Sequence, residues 1–143
     1  MEVIKEFSLF LLMSKILILT ANIGTIALPS RADASVNIDG FNGIVSGFGR
    51  FSDSSDYTST YLLYANVPII NYSRCAQVFG SAYVNSNHVC VDGYGGRGSC
   101  SGDSGGPLTA VINGRNVQVG VVSFGAAAGC ELGYPDVFTR VAR

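Results

Sequence analysis

Beyond residue 22 the chain is cut into short apolar runs by turn signals, and this punctuation limits its fold more than any other feature. Asp39-Gly40, Asn42-Gly43 and Asn113-Gly114 favour tight turns, because glycine reaches positive φ without a Cβ clash. Between such signals lie strand-like stretches at 44–48, 61–70, 108–112, 117–123 and 137–141, with 108–112 and 117–123 forming a hairpin across Asn113-Gly114. Pro68 interrupts the second stretch and predicts an edge or a bulge, since proline donates no ladder hydrogen bond. Residues 71–80 suit a short helix containing Cys75, and the Gly- and Ser-rich stretch 93–106 must be loop. About six strands at this spacing predict an all-β domain, a small antiparallel barrel. Composition agrees: 18 of the 143 residues are Gly and only 13% are charged, against about 25% in typical soluble domains.

Several functions are excluded early. The net charge is -1 and no basic run occurs, so nothing favours a nucleic acid. Four cysteines occur without a C-x-x-C pair, and His88 is the single histidine. That set does not suit zinc, and no metal or other cofactor is expected. Disulfides in an oxidising compartment fit the cysteines better, with buried free thiols as the alternative. Asn71-Tyr72-Ser73 is a glycosylation sequon.

Residues 1–22 differ in composition from 23–143 and are set apart from the domain. From Phe7 to Leu28 the single charged residue is Lys15. A signal peptide wants a basic start, but this one carries Glu2, Lys5 and Glu6. Ala32-Asp33-Ala34 imitates a cleavage site only weakly. A central lysine would cost a spanning helix about 2.5–3.5 kcal/mol, so no stable membrane association is expected. A degenerate signal or anchor, barrel-covering structure, and sequence foreign to the domain all remain open.

Chemistry concentrates in Gly102-Asp103-Ser104-Gly105-Gly106-Pro107. Glycines flanking a serine let a substrate approach the backbone, and two amides aimed at one spot stabilise an oxyanion. A flexible surface turn has the same composition, so the hexapeptide alone does not decide. Its context does. Cys100 lies four residues before Ser104, Ser123-Phe124-Gly125 begins nineteen after it, and Cys130 follows. The chain closes on Tyr134-Pro135-Asp136-Val137-Phe138-Thr139-Arg140-Val141. Upstream stand Ile26-Ala27-Leu28-Pro29-Ser30, Val45-Ser46-Gly47-Phe48-Gly49, Cys75 and Cys90.

In this order the motifs resemble the carboxyl-terminal half of the chymotrypsin and trypsin family of serine proteases. The resemblance implies the second six-stranded antiparallel barrel of a two-barrel protease. It implies Ser104 as nucleophile, and the amides of Gly102 and Ser104 as oxyanion hole. Asp103 would pair with an amino-terminal ammonium released by zymogen cleavage. Ser123, Phe124 and Gly125 would hold an extended substrate, and the disulfides would be Cys75–Cys90 and Cys100–Cys130. Gly98 would floor the specificity pocket, with Asp136 on its opposite wall. A glycine floor with an aspartate wall resembles the brachyurins, so mixed specificity for basic and large apolar side chains is expected. The alternative is an Asp136 that points to solvent.

The resemblance also marks what the motifs lack. Serine acyl transfer needs a base and an acid that orients it. The family's A-x-H-C and I-V-G-G motifs have no counterpart, and His88, in Asn87-His88-Val89-Cys90, does not match the base. Asn22-Ile23-Gly24-Thr25 resembles the family's D-I-x-L without its acid. The first barrel and the closing helix are therefore expected to be missing, and the chain alone to be inactive. The expected function is a secreted serine endopeptidase acting on proteins or peptides, with the first barrel as a candidate partner. The alternative is a non-catalytic secreted homologue that binds through the cleft strand.

Overall fold

The computed structural model describes residues 20–21 and 23–142. The readings of residues 1–19 and Asn22 as signal, anchor or foreign sequence fall outside the described residues. Six strands form the domain: β1 (Asn42–Gly47), β2 (Leu63–Ile70), β3 (His88–Val91), β4 (Pro107–Ile112), β5 (Arg115–Phe124) and β6 (Asp136–Arg140). Two helices accompany them, α1 (Arg31–Ala34) and α2 (Tyr72–Phe79). The strands close into an antiparallel barrel in the order β1-β2-β3-β6-β5-β4. Closure gives every strand two neighbours and removes the exposed edge.

Alternation along the strands fills the interior. Leu108, Ala110 and Ile112 of β4 point inward and are buried, while Val111 between them is exposed. They meet Val45, Val67, Ile69, Val89, Val91, Val117, Val119 and Phe138 in one core. A second cluster packs under α2, where Cys75, Val84, Cys90 and Val137 are buried against Phe79 and Phe124. The Phe79 and Phe124 rings meet edge to face, with centroids 5.5 Å apart. Asn71 caps α2 by accepting the Ser73 N–H at 3.0 Å. Its side-chain amide donates to Asp39 at 2.8 Å.

Pro68 stands where the ladder between β2 and β3 stops: only Ile69 and Ile70 of β2 pair with β3. Pro68 itself pairs with Asn42 of β1, and its carbonyl accepts the Asp92 N–H at 2.9 Å, so β2 is not an edge strand as the proline suggested. The hairpin turn lies at Asn113-Gly114, both at positive φ. β3 was not singled out from the sequence, because four residues are too few to show a period. The segment before the barrel also has a fixed course. Gln118 N–H donates to the Ala27 carbonyl at 2.9 Å, which lays 26–28 along β5. Ser30 and Asp33 cap α1 reciprocally, and the buried Asp33 carboxylate accepts from Arg115 at 2.8 Å and from Asn113 at 3.2 Å.

Candidate active site

Ser104 is exposed on a turn between Gly102 and Gly105, whose φ values are +100° and +82°. A non-glycine residue adopts that backbone only with strain. The turn is fastened to β5 from both sides: Gly105 N–H donates to the Val122 carbonyl at 3.0 Å, and Val122 N–H donates to the Gly106 carbonyl at 2.9 Å. Ser104 is thus fixed beside Ser123, where β5 bulges: Val122 pairs with Phe138 and Phe124 with Val137, leaving Ser123 unpaired and exposed. Among the described residues, neither the Gly102 nor the Ser104 N–H donates within the protein.

Asp103 turns the opposite way. Its carboxylate accepts the Gly49 N–H at 2.7 Å and the Cys100 N–H at 2.9 Å. Gly47 and Gly49 make room for it, since a Cβ on either would collide with the carboxylate. The Val45–Gly49 motif contributes to the family resemblance; that its two glycines seat Asp103 was not legible, because 54 residues separate Gly49 from Asp103. A cleft of about 190 Å³ opens beside this carboxylate, lined by Val45, Gly47, Gly49, Leu63, Arg97 and Gly98 among others.

Asp136 starts β6 and is only 6% exposed, so it does not point to solvent. Its carboxylate lies between Gly98 and Gly125, where a Cβ on either glycine would overlap it. Ser99 donates to it twice, from the backbone at 2.6 Å and from the hydroxyl at 3.0 Å. Burial pushes its pKa up; the two Ser99 bonds pull it down, and the Asp103 charge pushes it up further. Ser99 was missed from the sequence, where nothing sets it apart from its serine-rich neighbours.

The disulfides pair as expected. Cys75–Cys90 joins α2 to β3 with Cα atoms 6.4 Å apart, and Cys100–Cys130 joins the 98–106 loop to the 125–135 loop at 5.4 Å. His88 is remote from this site by topology, because β6 lies between β3 and β5. Its Nδ1 accepts the Asn85 N–H at 3.1 Å.

A trypsin family model matches residues 9–143. The chain belongs to the trypsin family. The match begins inside the segment 1–22 that composition sets apart. Among trypsin-family relatives the chain is similar to a brachyurin of Leptuca pugilator, 46% identical over 86% of this chain and 50% of that protein. It is also similar to a chymotrypsin of Phaedon cochleariae, 44% identical over 87% of this chain and 42% of that protein. Among solved structures it resembles HL collagenase, with a TM-score of 0.76 and 36% identity, over 87% of this chain and 52% of that one. The chain thus spans about half the length of these trypsin-family proteins. The barrel is a chymotrypsin-fold barrel, as the motifs implied.

Proposed function

We propose that this chain carries the nucleophile and the specificity pocket of a secreted serine endopeptidase. The observation that carries the reading is the exposed Ser104, pinned against β5 beside the unpaired Ser123. Ser104 attacks the scissile carbonyl of a protein or peptide, and the Gly102 and Ser104 amides hold the oxyanion that forms. Ser123, Phe124 and Gly125 run beside the extended substrate backbone. Asp103, beside its cleft, receives an amino-terminal ammonium and so orders the oxyanion hole.

The Asp136 pocket takes the side chain before the cleaved bond. Gly98 adds no side chain or charge of its own to the floor, which suits large apolar groups, while the Asp136 carboxylate packed beside it attracts Arg and Lys. Mixed specificity follows. The base and its acid come from outside this chain, since its single histidine, His88, stands on β3, with β6 between it and the β5 strand that holds the Ser104 turn. The first barrel of the fold is the partner that would supply them. Losing a base or nucleophile costs about 10^6 in turnover in another serine protease fold, so the chain alone is inactive. Two disulfides accord with an extracellular location. Among the described residues, no helix is long and apolar enough to cross a membrane.

A chimaera tests this reading: residues 23–143 joined behind the amino-terminal half of the Leptuca brachyurin. It should cleave casein after both basic and large apolar residues, and Ser104→Ala should abolish cleavage. A folded but inert chimaera would refute the reading. A reactive-serine probe should leave the chain alone unlabelled; labelling that disappears in Ser104→Ala would refute its inactivity.

A further inference from the structure

The loop 125–135 has a pocket residue at each end, Gly125 after β5 and Asp136 where β6 begins. How it is held midway therefore sets the spacing of the pocket walls. The disulfide fixes one point, Cys130. Asp53 fixes the direction of the chain there. Its carboxylate accepts the Cys130 N–H at 2.8 Å and the Glu131 N–H at 3.0 Å. The Asp53 N–H in turn donates to the Glu131 carboxylate at 2.6 Å. Gly129 sits at φ +146°, and a Cβ there would collide with the Asp53 carboxylate.

The other side of this clasp reaches the Ser104 loop. Arg50 N–H donates to the Ser101 carbonyl at 2.8 Å, one residue after Gly49 donates to Asp103. The Arg50 guanidinium then donates to the Asp53 carbonyl at 2.7 Å. Residues 49–53 thus bracket the nucleophile turn to the far wall of the pocket. The Cys130 and Glu131 amides hold the Asp53 carboxyl below its ordinary range, with Arg50 adding to the effect, so the clasp is ionised at neutral pH.

We infer that Asp53 is a positioning residue for substrate specificity, holding the Cys130–Glu131 peptide and with it the 125–135 loop, so that Gly125 at one end stays packed on the Asp136 carboxylate at the other. The inference rests on the reading of the Asp136 pocket as the specificity pocket. Benzamidine, an aromatic cation, serves as probe on the full chain, with hydrogen exchange at the Cys130 and Glu131 amides as a second readout. Asp53→Asn should weaken benzamidine binding and speed exchange at both amides by roughly tenfold, the effect of losing one charge-assisted bond. Asp53→Glu should restore part of both, and Gly129→Ala should reproduce the Asn variant. Asp136→Asn should abolish binding while leaving the two amides protected. If Asp53→Asn binds benzamidine like the wild type, the inference is wrong, whatever the exchange shows. If the wild-type chain itself does not bind, the pocket reading fails and this role falls with it.

Discussion

At the residue scale, the site is built around two carboxylates with opposite surroundings. Asp103 is met by two backbone donors, whereas Asp136 is buried and, among the described residues, its carboxylate accepts only from Ser99. A carboxyl whose folded pKa is raised holds its proton more tightly folded than unfolded. Stability therefore falls as pH rises from the ordinary value of 3.8 through the higher folded one. Asp136→Asn cannot ionise and escapes that loss. In thermal melts across pH the variant should gain on the wild type as pH rises through this window and keep the advantage at neutral pH. Parallel melting curves at every pH would contradict the burial argument. Gly98→Ala places a methyl on the Asp136 carboxylate, which has no space to retreat. A cost of about 1–3 kcal/mol in urea unfolding is expected from overpacking.

At the element scale, β4 and β6 carry the interior. Phe138 is fully buried, and truncating it to Ala should cost about 3–5 kcal/mol, a large share of a stability of about 5–15 kcal/mol. Urea midpoints measure this directly. The α1 cap is an acid-sensitive fastening. Ser30 lowers the Asp33 pKa through its N–H first and its hydroxyl second, with Arg115 and Asn113 adding to the effect. Its contribution is complete above 3.8, the ordinary carboxyl value, and is lost as pH falls through the depressed folded one. Acid titration followed by circular dichroism should thus show Asp33→Asn to be less stable than the wild type at neutral pH, with a shallower decline below 3.8. An unchanged acid limb would remove Asp33 from that role.

For the whole molecule, two disulfides close loops of 15 and 30 residues. In the chain-entropy picture each contributes about 3–4 kcal/mol. Reduction should lower the melting temperature sharply, and a melt indifferent to reductant would show that the barrel does not depend on them. The barrel was legible in the sequence because turn dipeptides and short apolar runs are local signals: Asn113-Gly114 marks its hairpin without help from distant residues. The disulfide pairing, the glycine-flanked turn at Ser104 and the nearness of Gly98 to Asp136 were legible through motifs that stay contiguous or keep their order. The partners of the carboxylates were not. Gly47 and Gly49 seat Asp103 from the end of the neighbouring β1, with 54 residues between Gly49 and Asp103, Ser99 reaches Asp136 over 37 residues, and Asp53 reaches Glu131 over 78. By itself the sequence determined the strand class, the disulfide-competent cysteines and the serine turn, since each depends on residue type and near spacing. Only the tertiary structure decided that Asp136 is buried and which amides hold each carboxylate, because a charge is stabilised by whatever lies nearest in space, and chain closure sets that neighbourhood.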